Sequence, residues 1–467
     1  MSDVDTLPTK RSPLRRIARA LVAVAMLLVV AAASIAFALQ VTPERSVTSF
    51  GQTVTVGTAP PTWSTEGPGQ VVLFGFTLPT QVRFIGPVRP KLTLTDISIN
   101  EQVAGLFSPG PHAPVADTLG AALERGWRSY FLFEIGFVAL GATLLLGAIA
   151  GWRRFSTKRT ILLIVGGLLF VEAVNVGSIM VTAFTAPAIL RDVHSLDGLV
   201  GRAQQAPLAA APGPDLSAVQ AIVLGDSTAA GLGGPPLPHP SASDEACQRS
   251  SFAFAETLAK VNDWKVDNLS CSGATIAEGV LGPQDVGGTR LPAQLAVAKR
   301  AVAASTLIVN VGANDLHWST LIRLCAFADT CDNRALTSYF QRSLAAFTTN
   351  YLGLLRQLAA MPGEPLILIN QYYAPFDPAL DCLVSIGLTA EKIGVLLDRL
   401  DTLNDVIANG ARTFGYLTAK PDFTGHELCT NQSYVQGETD PAPLHPNARG
   451  QLAIALADER ALLDAPI

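Results

Sequence analysis

Two hydrophobic patterns divide the chain. Up to about residue 185 the apolar positions form three long runs, each long enough to cross a bilayer, which takes roughly 20 residues. They cover 20–41 ("ALVAVAMLLVVAAASIAFAL" within it), 130–152 and 161–185. Beyond residue 218 the apolar runs shorten and alternate with amphipathic stretches. "VQAIVLG" (219–225), "KVDNLS", "TLIVNVG" (306–312), "PLILINQ" (365–371) and "TFGYL" read as strands. "SFAFAETLAKV", about 335–360, about 389–411 and "NARGQLAIALADERALL" read as helices. Strands joined by helices predict a parallel sheet covered on both faces. In such a sheet the ligand crevice lies beyond the carboxyl ends of the strands. Ser227, Gly273, Asn314 and Tyr372 each follow a strand closely, which directs all four to one crevice.

A third pattern lies between the first two spans. "TVTV", "QVVLFGF" and "KLTLTDI", separated by Pro and Gly, predict a small β-rich domain over 42–128. "VADTLGAALERGW" then reads as an amphipathic helix leading into the second span. The predicted order is a basic tail (1–19), first span (20–41), β-rich domain (42–128), second span (130–152), loop (153–160), third span (161–185), linker (186–217) and α/β domain (218–467). The linker contains the Ala- and Pro-rich "AQQAPLAAAPGPD".

Composition agrees with lipid contact. Charged residues are 15% of the 467 and hydrophobic ones 49%, against about 25% charged in an ordinary soluble protein. The net charge of -5 leaves no electrostatic footprint for nucleic acid. A basic segment before the first span makes a signal peptide the rival reading there, but the apolar core is long and the cleavage site weak, which favours an uncleaved anchor. Lys10, Arg11, Arg15, Arg16 and Arg19, and then Arg153, Arg154, Lys158 and Arg159, place the tail and the 153–160 loop in the cytoplasm of a plasma membrane. Arg125 and Arg128 oppose this and are outnumbered. The 42–128 domain and everything after the third span then face the extracytoplasmic side. Glu134 and Glu172 fall within spans, with Asn175 one turn beyond Glu172; ionisable groups there raise a functional question.

All six cysteines, Cys247, Cys271, Cys325, Cys331, Cys382 and Cys429, follow the third span. An even set confined to the segment expected outside reads as disulfides. Zinc is the rival, but no Cys-x-x-Cys pair occurs. Cys325 and Cys331 are close enough to close one small loop. Cys247–Cys271 and Cys382–Cys429 are taken as the other two pairs, with no pattern to decide between alternatives.

The chemistry concentrates in four short blocks. "GDSTAAG" places Ser227 at a strand-to-loop junction; alone it is as readily a turn serine. "NLSCSGATI" offers the Gly273 N–H, "NVGANDL" the Asn314 amide, and "DPAPLHPNARG" sets His445 before the last helix. Acyl transfer needs an activated hydroxyl, a base held in one tautomer, and fixed donors for the oxyanion. The order Gly-Asp-Ser, Ser-Gly-Ala, Gly-x-Asn-Asp and His-Pro resembles the SGNH (GDSL) hydrolase family over about 218–467. The resemblance implies a flavodoxin-like three-layer α/β/α fold and a serine esterase without metal or organic cofactor. It implies Ser227 as nucleophile, His445 as base, and the Ser227 N–H, Gly273 N–H and Asn314 amide as oxyanion hole. The disulfides and "FTGHELC" look like secreted actinobacterial members.

One departure matters. The family often carries an acid three residues before the histidine, and here that position is Ala442. Asp440, a backbone carbonyl or another acid is left to orient the ring. His317, Trp318, Tyr372 and Tyr373 are expected near a substrate pocket. The expected activity is hydrolysis of O-acyl esters of envelope glycans, glycolipids or lipids. An acyltransferase using the same intermediate and a non-catalytic assembly module are the alternatives. The β-rich domain is the expected contact for a membrane-protein partner.

Overall fold

The computed structural model describes residues 13–49, 52–61, 64, 66–86, 88–96, 113–190, 209, 216, 218–379 and 381–465. The Ala- and Pro-rich linker lies almost wholly outside the described residues. The chain divides into two compact units, the first made mainly of residues up to 201 and the second mainly of 202–467.

In the first unit, helices Pro13–Val41, Ala113–Trp152 and Thr157–Leu190 are long and apolar enough to cross a membrane. The expected amphipathic helix and second span form one continuous helix of 40 residues. Val30, Ala31, Ala38, Val138, Ala142, Leu146 and Val171 make the buried centre of the three-helix bundle. Glu134 is fully buried, and Asn175 Nδ2 donates to its Oε2 at 3.0 Å.

Five strands accompany the bundle: β1 (Arg45–Ser49), β2 (Gln52–Thr58), β3 (Glu66–Leu73), β4 (Phe76–Ile85) and β5 (Pro90–Asp96). They form one sheet in the order β1-β2-β5-β3-β4. Antiparallel β1–β2 and β2–β5 pairs sit beside a parallel β3–β5 pair. "QVVLFGF" is not one strand, because the chain turns back at Phe74 and Gly75 between β3 and β4. Burial alternates along β3, as expected of a sheet with one covered face. The helix Ala113–Trp152 packs on β1 and β2. Trp127 Nε1 donates to the Gly57 carbonyl at 3.1 Å, and the Tyr130 and Thr58 hydroxyls lie 2.8 Å apart. Gly126 allows this approach; a Cβ there would stand 2.4 Å from Val47 Cγ2.

The second unit is built on a sheet of β6 (Ala221–Gly225), β7 (Val266–Asn268), β10 (Thr306–Asn310), β11 (Leu366–Asn370) and β12 (Leu417–Ala419); β8 (Gln284–Val286) and β9 (Thr289–Leu291) form a separate hairpin. Every neighbouring pair in the main sheet is parallel. Its order β12-β11-β10-β6-β7, counted along this unit alone, is the doubly wound 2-1-3-4-5. All residues of β6 and β10 are buried, so their apolar runs show no alternation. Helix Ala448–Leu463 packs with Phe254–Asn262 and against β11 and β12; helix Ala390–Thr413 packs with Arg334–Ala359 and against the same two strands. The result is a three-layer α/β/α sandwich with the flavodoxin-like strand order. The topology puts its switch point between β6 and β10, where the chain leaves in opposite directions and opens a crevice.

The cysteines pair as Cys247–Cys271, Cys325–Cys331 and Cys382–Cys429.

Candidate active site

Ser227 stands at that switch point. β6 ends at Gly225, whose N–H and carbonyl are both held by the buried side chain of Gln294, at 2.8 and 2.9 Å. Asp226 then caps a four-residue helix, Ser227–Ala230, its Oδ1 accepting from the Thr228 N–H at 2.8 Å. The strand end is therefore fixed on both sides of the serine. Ser227 Oγ lies 2.8 Å from His445 Nε2. The other ring nitrogen, Nδ1, lies 3.1 Å from the Pro443 carbonyl oxygen. A carbonyl only accepts, so Nδ1 carries the hydrogen and Nε2 presents its lone pair to the hydroxyl.

Asp440 is exposed and turned to its own loop. Its Oδ2 accepts from the Gly437 N–H at 2.7 Å. Of the groups the sequence left open, the Pro443 carbonyl is the one in contact with Nδ1.

The donor side comes from two further loops. Gly273 follows β7 with φ of 79°, the left-handed region that favours glycine. Cys271 is bonded to Cys247, and the Ser272 N–H and hydroxyl both donate to the Cys247 carbonyl, at 3.2 and 3.0 Å. The Gly273 loop is thereby pinned from behind. Asn314 follows β10 and spends one amide hydrogen on the Ala274 carbonyl at 2.9 Å. An amide nitrogen has two hydrogens, and the second remains for the cavity.

That cavity, about 270 Å³, is lined by Ser227, Gly273, Asn314 and His445, and by apolar residues that include Leu400 and Leu403. Trp318, Tyr372 and Tyr373 line it as well. His317 does not belong to this lining and is a correction to the sequence reading. Its backbone is left-handed (φ 52°) where the helix Trp318–Phe327 begins, and its exposed ring faces Tyr339 at 6.4 Å.

The two tyrosines do more than line the wall. Tyr372 Oη donates to Asp226 Oδ2 at 2.6 Å and accepts from the Ala313 N–H at 3.0 Å. One hydroxyl so ties the serine loop to the Asn314 loop. Burial raises the Asp226 carboxyl above its ordinary range, against the lowering effect of the Tyr372 and Thr228 hydrogen bonds. Burial pushes Asp315 up to about 7, partly offset by its bonds from the Ile276 N–H, with Asp226 adding to the rise. Sequence reading missed Gln294, a polar residue fully inside the core whose only signal is its place after "LPA".

The arrangement can deprotonate a hydroxyl and offer N–H donors beside it, the needs of acyl transfer. Residues 223–453 match the GDSL-like Lipase/Acylhydrolase family. Among solved structures, the chain is similar to an extracellular lipase from Streptomyces rimosus, at 20% identity and a TM-score of 0.41, over 52% of this chain and 98% of that one. It is also similar to a phospholipase A1 from Streptomyces albidoflavus, at 21% identity and a TM-score of 0.39, over 52% and 99%. A carbohydrate esterase matches at 15% identity and a TM-score of 0.27, over 57% and 72%. No curated protein matches the chain.

Proposed function

Residues 223–453 make this chain a carboxylic ester hydrolase of the GDSL-like lipase/acylhydrolase family, and from that premise we propose that it is a membrane-anchored serine esterase acting outside the cytoplasm through Ser227 and His445. The observation that carries the reading is the 2.8 Å contact between Ser227 Oγ and His445 Nε2, with the Pro443 carbonyl on the far ring nitrogen. His445 Nε2 takes the proton as Ser227 Oγ attacks the ester carbonyl carbon. The negative charge on the carbonyl oxygen is met by the Ser227 N–H, the Gly273 N–H and the second Asn314 hydrogen. The imidazolium returns the proton to the departing alcohol as the C–O bond breaks, leaving an acyl-serine. Water, deprotonated by the same nitrogen, then releases the acid. The Pro443 carbonyl takes the tautomer-setting part that an aspartate plays elsewhere.

Three apolar helices and an even set of paired cysteines support an anchored domain in an oxidising compartment. Anchoring at a bilayer, and a cavity lined by both polar and apolar side chains, favour O-acyl esters of envelope glycans, glycolipids or lipids. The β-rich domain is the surface we assign to a membrane-protein partner.

The test is a fluorophosphonate probe on the purified full-length protein. It should label Ser227, and Ser227→Ala should lose about 10⁴–10⁶ in kcat on p-nitrophenyl acyl esters. Asp440→Asn should stay within about threefold, where an orienting acid would cost about 10⁴. Labelling at another serine, or full activity in Ser227→Ala, overturns the reading.

A further inference from the structure

A histidine oriented by a peptide carbonyl has a problem that one oriented by a carboxylate does not. The carbonyl has no side chain of its own to aim it, so its direction depends on the backbone around it. Here the carbonyl belongs to Pro443, two residues before the ring it serves. Leu444 between them has φ of 70°, a conformation that a residue with a Cβ keeps only when its surroundings impose it.

Two residues impose it. The Tyr373 hydroxyl donates to the Leu444 carbonyl at 2.8 Å, and its ring stacks on Phe423 at 4.3 Å. Gln436 works from the other side. Its backbone accepts from the Leu444 N–H at 3.0 Å and donates to the His445 carbonyl at 2.8 Å. Its side chain accepts from the Ala442 N–H at 3.2 Å and donates to the Pro446 carbonyl at 3.2 Å and the Leu232 carbonyl at 2.7 Å. Both amide hydrogens and the amide oxygen are used, so only one orientation of the amide satisfies all three contacts. Leu232 is on the serine loop, and its own N–H donates to the Ser227 carbonyl at 3.1 Å. Gln436 thus bridges the histidine segment to the nucleophile segment. Gly233 leaves room for this; a Cβ there would stand 2.3 Å from the Gln436 amide oxygen. Gln436 and Tyr373 are 5% and 6% exposed, so water does not compete for these bonds.

We propose that Gln436 and Tyr373 are positioning residues for His445: their side chains fix the 442–446 segment on both sides of the Pro443 carbonyl, and so hold that carbonyl toward Nδ1 with the rigidity that an acid at position 442 would give. The proposal rests on the Ser227–His445 reading above. It makes Ala442 workable, because the peptide nitrogen of that residue is held by Gln436 instead of a carboxylate being held by the ring.

The experiment uses the full-length protein with Tyr373→Phe and Gln436→Met, alone and together. Tyr373→Phe keeps the ring and its stacking and removes only the hydroxyl. Each variant should lower kcat about 10- to 100-fold, as expected for a small displacement of a reacting group, with KM within about twofold. Inactivation by the fluorophosphonate probe should slow in the same proportion, because it uses the same proton transfer. The double variant should lose less than the product of the two, because both act on the one short segment that carries the Pro443 carbonyl. Thermal melting of Tyr373→Phe should match the parent, which separates positioning from folding. Wild-type kcat and labelling rate in Tyr373→Phe, or a change confined to KM, overturn the proposal while leaving the nucleophile in place. Should Gln436→Met fail to fold, Tyr373→Phe decides alone. Probe labelling away from Ser227 overturns the proposal together with the reading beneath it.

Discussion

The described residues include two five-stranded sheets that meet different demands. In the sheet β1-β2-β5-β3-β4, strands run both ways and burial alternates along β3. In the sheet β12-β11-β10-β6-β7, all strands run one way and β6 and β10 are buried throughout. Direction is what separates them chemically. A parallel sheet brings the carboxyl ends of all its strands to one edge, so Gly225, Asn268, Asn310 and Asn370 end together and the loops after them converge. A mixed sheet sends successive loops to opposite edges, and its polar groups are consumed one at a time in packing, as Thr58 is by Tyr130. The lesson is that convergence of loops, more than the richness of polar residues, marks where chemistry can be built.

Three changes test this contrast. Asn314→Ala removes a donor from the converging edge and should lower kcat by about 10²–10³, the range for one oxyanion donor; a loss below tenfold would mean the edge does not act as a unit. The second concerns charge enclosed behind that edge. Asp315, raised to about 7 in the folded chain by burial, starts from about 3.9 unfolded. Between those values the folded state binds more protons, so its contribution to stability is fully present below about pH 4 and is lost as pH rises through about 7, a change of about 2–4 kcal/mol. Asp315→Asn should flatten that slope in denaturant titrations run at several pH values. The smallest effect belongs to the other sheet. Gly126→Leu forces a side chain against Val47 and Val56 and should cost about 1–3 kcal/mol locally. Faster hydrogen exchange in β1 and β2 with unchanged kcat would sharpen the contrast; a matching fall in kcat would break it.

Where the sequence could be read, local chemistry and global placement agreed. β6, β10 and β11 are unbroken apolar runs, and the residues after them could be directed to one crevice before any coordinates. Ser227, Gly273, Asn314 and His445 line a single cavity. The five-stranded first sheet was only partly legible. "QVVLFGF" contains a turn with no Asn, Pro or Asp to announce it, only Gly75. Tyr372 and Tyr373 were placed at the crevice, but their hydroxyls serve loops distant in sequence, which no pattern encodes. The Pro443 carbonyl was one of several open choices because every residue carries a carbonyl. Asp440 drew attention as an acid near the histidine, yet a neighbouring backbone N–H captures it, a common fate of short polar side chains in turns. His317 misled for the opposite reason: adjacency to Asn314 along the chain says nothing once the backbone turns left-handed.

The unbroken helix Ala113–Trp152 has one more consequence. Its 40 residues extend about 60 Å at 1.5 Å each, while a bilayer's hydrocarbon is about 30 Å thick. In the spanning orientation proposed above, close to half of the helix has to stand clear of the acyl chains. With β1 and β2 fastened along it near Gly126 and Trp127, it is a rigid post of set height. Lengthening or shortening it by a few residues would raise or lower the mounted sheet and rotate it by about 100° per residue, so both the reach of this unit above the lipid and the bearing of its faces are written into one count of residues.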